Sequence, residues 1–442
     1  MRNTFNKDLF FYLFAIIMTF LLYQRDVGGT ETNKFIFLGI TVLYALVADY
    51  SHLMMATAFL LPLANGLPGN YIFPILCVLI WIKGRKMIHA SSIVWVSFAL
   101  IAVSEIIHIF GFSSQPSIPS YLGYCAAIFL LLVIGGSDVN ASDNSKNALA
   151  FCIGSAVMLF VILLKFSLMT NVDIYDMESR VGNAGQFYGE ERMTLGTNPN
   201  NIGLYSIATM TMAFALWYYK KIPIWLFAVL EIVAFVSGVS SFSRTWMLCL
   251  VLFGLLYLFL NKGGGRKSSS LVIFILGIVG VYYFFTRYCS SALEMFTDRF
   301  SDSSVDTAGA RTVLFAEYNK WMFSHGWALL FGTGAQCYKE FTMIFNSTHN
   351  ALQQIFISYG LPGLFLFLYL LYKSIKKWHV RHEYMVYLPM IVIAFFLQSS
   401  QFLNPFYCMF PFIAAYFILK MVKSDSMNNR VNMTNNHTRT LK

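Results

Sequence analysis

The chain has 442 residues, of which 57% are apolar and 12% charged, with 43 Phe, 25 Tyr and 21 Met. Soluble proteins average about 25% charged residues. So few charges leave a globule of this size without a polar surface, which excludes a cytosolic enzyme, a secreted disulfide scaffold and a disordered protein, and makes lipid the solvent. The net charge of +10 reads as topology before nucleic-acid affinity, because Lys and Arg mark cytoplasmic loops.

A spanning helix needs about 20 mostly apolar residues. In chain order the candidates are 9–23, 35–49, 52–64, 71–82, 91–111, 121–135, 148–170, 201–219, 222–241, 245–260, 271–287, 350–372, 385–402 and 405–422. The stretch 35–82 reads either as three short crossings or as one crossing with a re-entrant pair. The first apolar run lacks a small-residue cleavage site, so no cleavable leader is expected.

Basic clusters orient these spans. Arg2 and Lys7, then Lys83, Arg85 and Lys86, then Lys220 and Lys221, then Lys262, Arg266 and Lys267, then Lys373, Lys376, Lys377 and Arg381 all fall on one side, as do Lys420, Lys423 and Arg430. With that side cytoplasmic, both termini are inside. The expected fold class is an all-α polytopic membrane protein of about 12 to 14 transmembrane helices. The expected organisation is N-terminal transmembrane helices over 1–170, a first extracytoplasmic loop at 171–200, central transmembrane helices over 201–287, a large extracytoplasmic loop at 288–348, C-terminal transmembrane helices over 349–422 and a disordered cytoplasmic tail, 423–442. The large loop carries a helix-like stretch from Arg311 to Trp327, with apolar Val313, Leu314, Tyr318, Trp321 and Met322. Cys77, Cys125, Cys152, Cys249 and Cys408 sit in apolar runs as small hydrophobes, whereas Cys289 and Cys337 fall outside, where a disulfide between them is open.

The same topology brings three distant ionisable residues to one face. Arg244 follows Ser243 at the outer boundary of two spans, Arg311 begins the loop helix, and His349 stands at the mouth of the next span. Arg244 runs against the positive-inside trend; lipid phosphate contact is its plain alternative. His349 takes a proton at neutral pH as a general base, or else ends the loop with a backbone hydrogen bond. Asn350 beside it suits polar substrate, and Gln353 and Gln354 continue a polar strip that implies a wet or substrate-lined cavity. In the first outer loop, Arg180 and Arg192 are further cationic candidates. The run Thr197-Asn198-Pro199-Asn200 reads as a turn with Asn200 as N-cap, and secondarily as a contact for sugar hydroxyls. No spacing on an outer loop suits a metal, and Gly263-Gly264-Gly265 lacks the context of a nucleotide-phosphate loop. Two guanidinium forks hold a departing pyrophosphate while an imidazole deprotonates an attacking hydroxyl. A donor with a lipid tail reaches such a site sideways from the bilayer, and neither metal nor cofactor is expected.

These motifs, Ser243-Arg244 at a span boundary, Arg311 in a large outer loop, Gly332-Thr333-Gly334, and His349-Asn350 with Gly360 and Gly363, together with the Thr197–Asn200 run, resemble the O-antigen ligase and O-antigen polymerase superfamily over about residues 190–370. Thr245 stands where that family commonly has Gly. The resemblance implies a GT-C-like fold and metal-independent transfer from an undecaprenyl-pyrophosphate-linked oligosaccharide at the outer face of a bacterial cytoplasmic membrane. By the same resemblance Arg244 and Arg311 bind pyrophosphate, His349 is catalytic, and Ser243, Asn350, Asn200, Arg180 and Arg192 are weaker substrate contacts. Polymerisation of repeat units is the first expectation, with a chain-length regulator and a flippase as partners alongside membrane lipid, and no nucleic acid. Ligation to lipid A-core uses the same donor. A transporter of lipid-linked glycan is the third reading, its carboxylate candidates Asp49, Glu105 and Glu231 reading as close to span ends.

Overall fold

The computed structural model describes residues 7–113, 117–130, 141–168, 195, 199–218, 220–241, 243, 246–247, 249–251, 308–335, 337–344, 348 and 350–376. Regular structure among the described residues is helical, without strands. The helices are α1 (Lys7–Asp26), α2 (Lys34–Val47), α3 (Tyr50–Leu60), α4 (Gly69–Gly84), α5 (Ser92–Phe112), α6 (Ile118–Ile128), α7 (Ala141–Leu168), α8 (Pro199–Tyr218), α9 (Ile224–Ser240), α10 (Ala308–Ser324), α11 (Gly326–Phe331), α12 (Tyr338–Thr342) and α13 (Ala351–Lys376).

Polar contacts sort the helix ends into two groups. At one end, Lys7 at the start of α1 pairs with Asp49, the N-cap of α3, at 2.8 Å. His52 lies between Asp49 (Nδ1, 2.8 Å) and Asp8 (Nε2, 3.0 Å), and Lys146 of α7 reaches both oxygens of Asp8 at 3.0 Å. Lys83, closing α4, donates to the carbonyls of Ala45, Leu46 and Ala48 that end α2. Burial works to raise the pKa of Asp49, but the Lys7 ammonium and His52 hold it below the usual carboxylate range. The stabilisation from a depressed carboxylate is present at neutral pH and is lost as pH falls through its folded value. At the opposite end, the Arg25 guanidinium donates to Gly66 O (2.6 Å) and Asp26 (2.9 Å), and stacks 5.0 Å from the Phe37 ring.

These contacts decide the ambiguity in 35–82. Helix α3 has 11 residues, about 16 Å at 1.5 Å per residue, too short to cross as a helix. Yet it starts beside Asp8, and the buried turn after it ends at Gly66 beside Arg25. The chain from Asp49 to Gly66 therefore runs the full length of α1, helical for its first part and irregular for the rest. Helix α4 then returns to the end of α2. The stretch crosses the bundle three times. Irregular backbone at such depth is sustained only when surrounded by protein, and Leu61, Leu63, Ala64 and Gly66 are all buried.

Among the described residues, three helices are long and apolar enough to cross a membrane: α1, α5 and residues Ser145–Leu168 of α7. Shorter apolar helices are Lys34–Val47, Gly69–Gly84, Ile118–Ile128, Ile224–Ser240 and Leu352–Leu366. Their surfaces are inverted relative to a soluble protein. On α5, Ile93, Val96, Leu100, Val103, Ile107 and Phe110 form an exposed stripe at helical spacing, while Ser97, Glu105 and His108 are buried. An apolar face of that length suits contact with lipid rather than water. In the interior, hydroxyls meet across helices, as Ser155 of α7 does with Thr209 of α8 at 2.6 Å. Cys77, Cys152 and Cys249 are buried free thiols, as expected of small hydrophobes, and Cys125 is half-buried.

Close packing depends on small residues where backbones cross. A Cβ at Gly154 of α7 would overlap the Phe59 carbonyl of α3, whereas a Cβ at Gly111 of α5 would meet nothing within 4 Å. Gly154→Ala is therefore expected to lower the melting midpoint of the detergent-solubilised protein. Gly111→Ala gains helix propensity of up to about 1 kcal/mol and should hold or raise it. Equal midpoints for the two variants would contradict the α3–α7 crossing.

Candidate functional site

The described part of the large loop folds into a small unit of its own. Tyr318 and Met322 of α10, Ala328 of α11, Tyr338 of α12, and Phe356 and Ile357 of α13 form a satellite core, and the Tyr318 hydroxyl donates to Ile344 O at 3.1 Å. The helix expected from Arg311 to Trp327 starts earlier, at Ala308, and breaks at His325, where Gly326 opens α11. Tyr318 and Met322 face inward as their spacing implies, Leu314 and Trp321 are half-buried, and Val313 is exposed.

Gln353 ties α13 to α10. Its Nε2 donates to Phe315 O at 2.8 Å and Asn319 Oδ1 at 3.4 Å, and one turn further the Phe356 ring lies 6.3 Å from that of Phe323. Residue numbers rise together along both helices, so α10 and the first half of α13 run in the same sense. Asn350 sits at the start of α13, where its Oδ1 accepts the Gln353 N–H at 3.0 Å and its carbonyl accepts the Gln354 N–H and the Thr348 hydroxyl. That side-chain oxygen, expected to meet substrate, is engaged as a helix cap. Gln353 and Gln354 are buried, and their Oε1 atoms have no hydrogen-bond partner among the described residues. The two residues read from the sequence as a strip lining a wet cavity are a pair of enclosed acceptors.

Beyond this point α13 is broken. Gly360 has φ +65° and Pro362 follows. Proline lacks the N–H that would bond Ser358 O, and the break also leaves Ile357 O without a helical partner. Both carbonyls are answered by the loop 332–335: Thr333 donates from its N–H (2.9 Å) and hydroxyl (3.1 Å) to Ile357 O, and the Gly334 N–H donates to Ser358 O at 3.0 Å. The approach requires glycine at both places. Gly332, at φ +68°, abuts the Ser358 carbonyl, and Gly360 abuts Leu329. The loop is held from the other side by α5, where Glu105 Oε1 accepts the Ala335 N–H and the His108 side chain packs on Gly334. His108 itself donates from Nδ1 to Ser104 O at 2.6 Å. Glu105 is wholly buried and was not read from the sequence as part of this site. The available signal was a carboxylate in an otherwise uncharged span; its partner lies 230 residues away, beyond the reach of any local pattern.

A second junction joins α8 to the turn after α9. Ser243 is buried, its N–H donates to Ser241 Oγ (3.3 Å), and its own Oγ accepts the Trp246 N–H (3.4 Å). It rests on Gly203, where a Cβ would come within 2.7 Å of Ser243 Cβ. Helix α8 begins at Pro199, so Asn200 lies within its first turn and is not the N-cap expected; proline suits that first position because its missing N–H would be unpaired there anyway. The structure therefore unites Ser243 with the first turns of α8, and sets Asn350 as the cap of α13, which Gln353 binds to α10. Arg311 lies in the backbone of α10. Arg180, Arg192, Arg244 and His349 lie outside the described residues, as do Cys289 and Cys408. Cys337 is a buried free thiol, which burial pushes up to about 12. Among the described residues no group of three His, Cys, Asp or Glu is placed to hold a metal ion.

The Glu105 bond has a direct check. Glu105→Leu leaves the buried Ala335 N–H without an acceptor, at a cost of about 1–3 kcal/mol, and should speed amide exchange over 332–337; Glu105→Gln keeps an acceptor and should change exchange far less. Identical exchange in both variants would remove the clamp.

No family model, curated protein or solved structure matches the chain.

Proposed function

We propose that the chain is a multi-pass protein of a bacterial cytoplasmic membrane that transfers a growing glycan from undecaprenyl pyrophosphate to a sugar hydroxyl at the outer face, as a polymerase of lipid-linked repeat units. The observation that carries this reading is the Gln353 clamp. Gln353 faces Phe315 and Asn319, which sets the start of α13 against α10, the helix that carries Arg311; the reading asks His349 to act beside it. The sidedness is supported by Lys7, Lys83 and Lys146 gathering at one end of the bundle, as the positive-inside trend demands. The loop 332–335 meets α5 towards its far end.

In this reaction the acceptor hydroxyl gives its proton to the His349 imidazole as its oxygen bonds the anomeric carbon. The bond from that carbon to the pyrophosphate oxygen breaks, and the pyrophosphate leaves with the electron pair. Arg244 and Arg311 neutralise it, each able to grip two oxygens at once. The enclosed Gln353 and Gln354 oxygens are acceptors suited to sugar hydroxyls. Ligation to lipid A-core shares every donor-side step. Glu231 favours the transporter reading: it lies at the middle of α9, not near its end as the sequence suggested, with Oε1 buried and unpartnered, and mid-membrane carboxylates commonly serve transport.

The test is incubation of purified protein with lipid-linked repeat units, scored for a polymer ladder without added metal or nucleotide. His349→Ala and Arg244→Ala should each lower elongation by about 100-fold or more with membrane insertion intact, and Arg311→Lys should also be impaired because an ammonium lacks the guanidinium fork. Wild-type ladders from the His349 and Arg244 variants would end the catalytic assignment, and loss of transport alone in Glu231→Gln would favour the transporter.

A further inference from the structure

Helix α11, Gly326–Phe331, is apolar throughout. Trp327, Leu330 and Phe331 stand at i, i+3 and i+4 and therefore share a face. All three are exposed, at 43%, 59% and 67%, while Ala328 on the opposite side is buried. Phe323, which ends the exposed flank of α10, is 70% exposed. A loop helix in water would carry polar side chains on such a face, as α10 does with Glu317 and Lys320.

The patch is continuous with the lipid-facing stripe of α5. The Trp327 ring lies 5.6 Å from that of Phe341, and Phe341 lies 5.0 Å from Phe112 at the end of α5. Phe112 is exposed and follows the stripe that runs from Ile93 to Phe110. Helix α5 has 21 residues, about 31 Å, which matches a hydrocarbon thickness of about 30 Å. Its last turn thus stands where acyl chains meet headgroups, the level at which Trp rings concentrate.

We infer that α11 is a membrane foot of the large loop: Trp327, Leu330 and Phe331 insert into the bilayer at the acyl–headgroup boundary, so that this part of the loop is bathed in lipid. The inference uses the membrane reading but not the proposed glycan transfer. The end of α11 is closed by the Gly332 N–H, which bonds Ala328 O at 2.9 Å, and is anchored where Leu329 and Leu330 pack against Gly360.

The test is nitroxide labelling of single cysteines, placed by Phe331→Cys, Leu330→Cys, Lys320→Cys and Leu100→Cys in a variant whose Cys125, Cys289 and Cys408 are alanine. The protein sits in nanodiscs of phosphatidylethanolamine and phosphatidylglycerol. Collision with oxygen reports lipid, and collision with a water-soluble nickel chelate reports water. The ratio of oxygen to nickel collisions should be several-fold higher at 330 and 331 than at 320, and should approach the value at 100 on the α5 stripe. Nickel collisions at 331 equal to those at 320 would overturn the foot. Low collision with both reagents at 331 would overturn it too, because the face would then be covered by protein. A water-like ratio at 100 would instead sink the membrane reading of α5 and the foot with it.

Discussion

Two carbonyls, those of Ile357 and Ser358, organise the half of the molecule where chemistry is proposed. A helix broken by Gly360 and Pro362 leaves them without intrahelical donors, and in an apolar surrounding each unmatched group costs several kcal/mol. Thr333 and Gly334 supply the donors. That in turn forces the chain before α12 to lie flat against α13, which only glycine at 332 and 360 permits. The loop's own spare N–H, on Ala335, then needs an acceptor, and Glu105 reaches it from α5. One break therefore fixes three elements: α13, the loop and α5.

The consequence for the candidate site is mechanical. Residues 353–360 of α13 are buried, whereas Leu361, Phe365, Leu368 and Tyr369 beyond the break are exposed as lipid-facing residues are. The first half of α13 belongs with α10, α11 and α12 in the satellite core, and it also touches the main core through Leu352, Ile355 and Tyr359. A continuous helix would have shared one rigid-body tilt with the lipid-facing half. The break lets the start of α13, capped by Asn350 and bound to α10 by Gln353, take its orientation from the loop unit. A group that must meet a reacting atom within a fraction of an ångström gains from such support.

Much of the fold was legible because lipid imposes a strong rule on sequence. The apolar runs at 9–23, 91–111 and 148–170 overlap α1, α5 and α7 over 9–23, 92–111 and 148–168, since long uninterrupted apolar helices have few alternatives. The position of the basic residues at helix ends was also legible, and Lys83 illustrates why: its ammonium meets the three carbonyls ending α2. The stretch 52–64 was less legible, because hydropathy records burial but not whether backbone is helical, and the second part of that crossing is an irregular buried turn. Asn200 and Asn350 show the limit for polar residues. Both are asparagines beside helix starts, but only Asn350 caps, because Pro199 had already taken the first position of α8.

Glu105 shows what sequence could not supply. Read alone, a carboxylate at its position in a span suggests an ion pathway. In the fold its Oε1 is committed to a backbone N–H 230 residues away, which gives the residue a structural occupation and removes the need for transport to explain it. Glu231 has no such hydrogen bond at its buried Oε1, so the two carboxylates, alike in the sequence, part company in the structure. The weight of a transport reading therefore rests on α9, while that of the transfer reading rests on α10 and α13. Helix α9 packs chiefly on α7 and α8, and α13 on α11 and α10. Mutational effects beyond about 10 Å with no shared partner are close to additive. A molecule that used both regions in one process would show coupling between Glu231 and His349 substitutions, and one that used only the loop unit would show none.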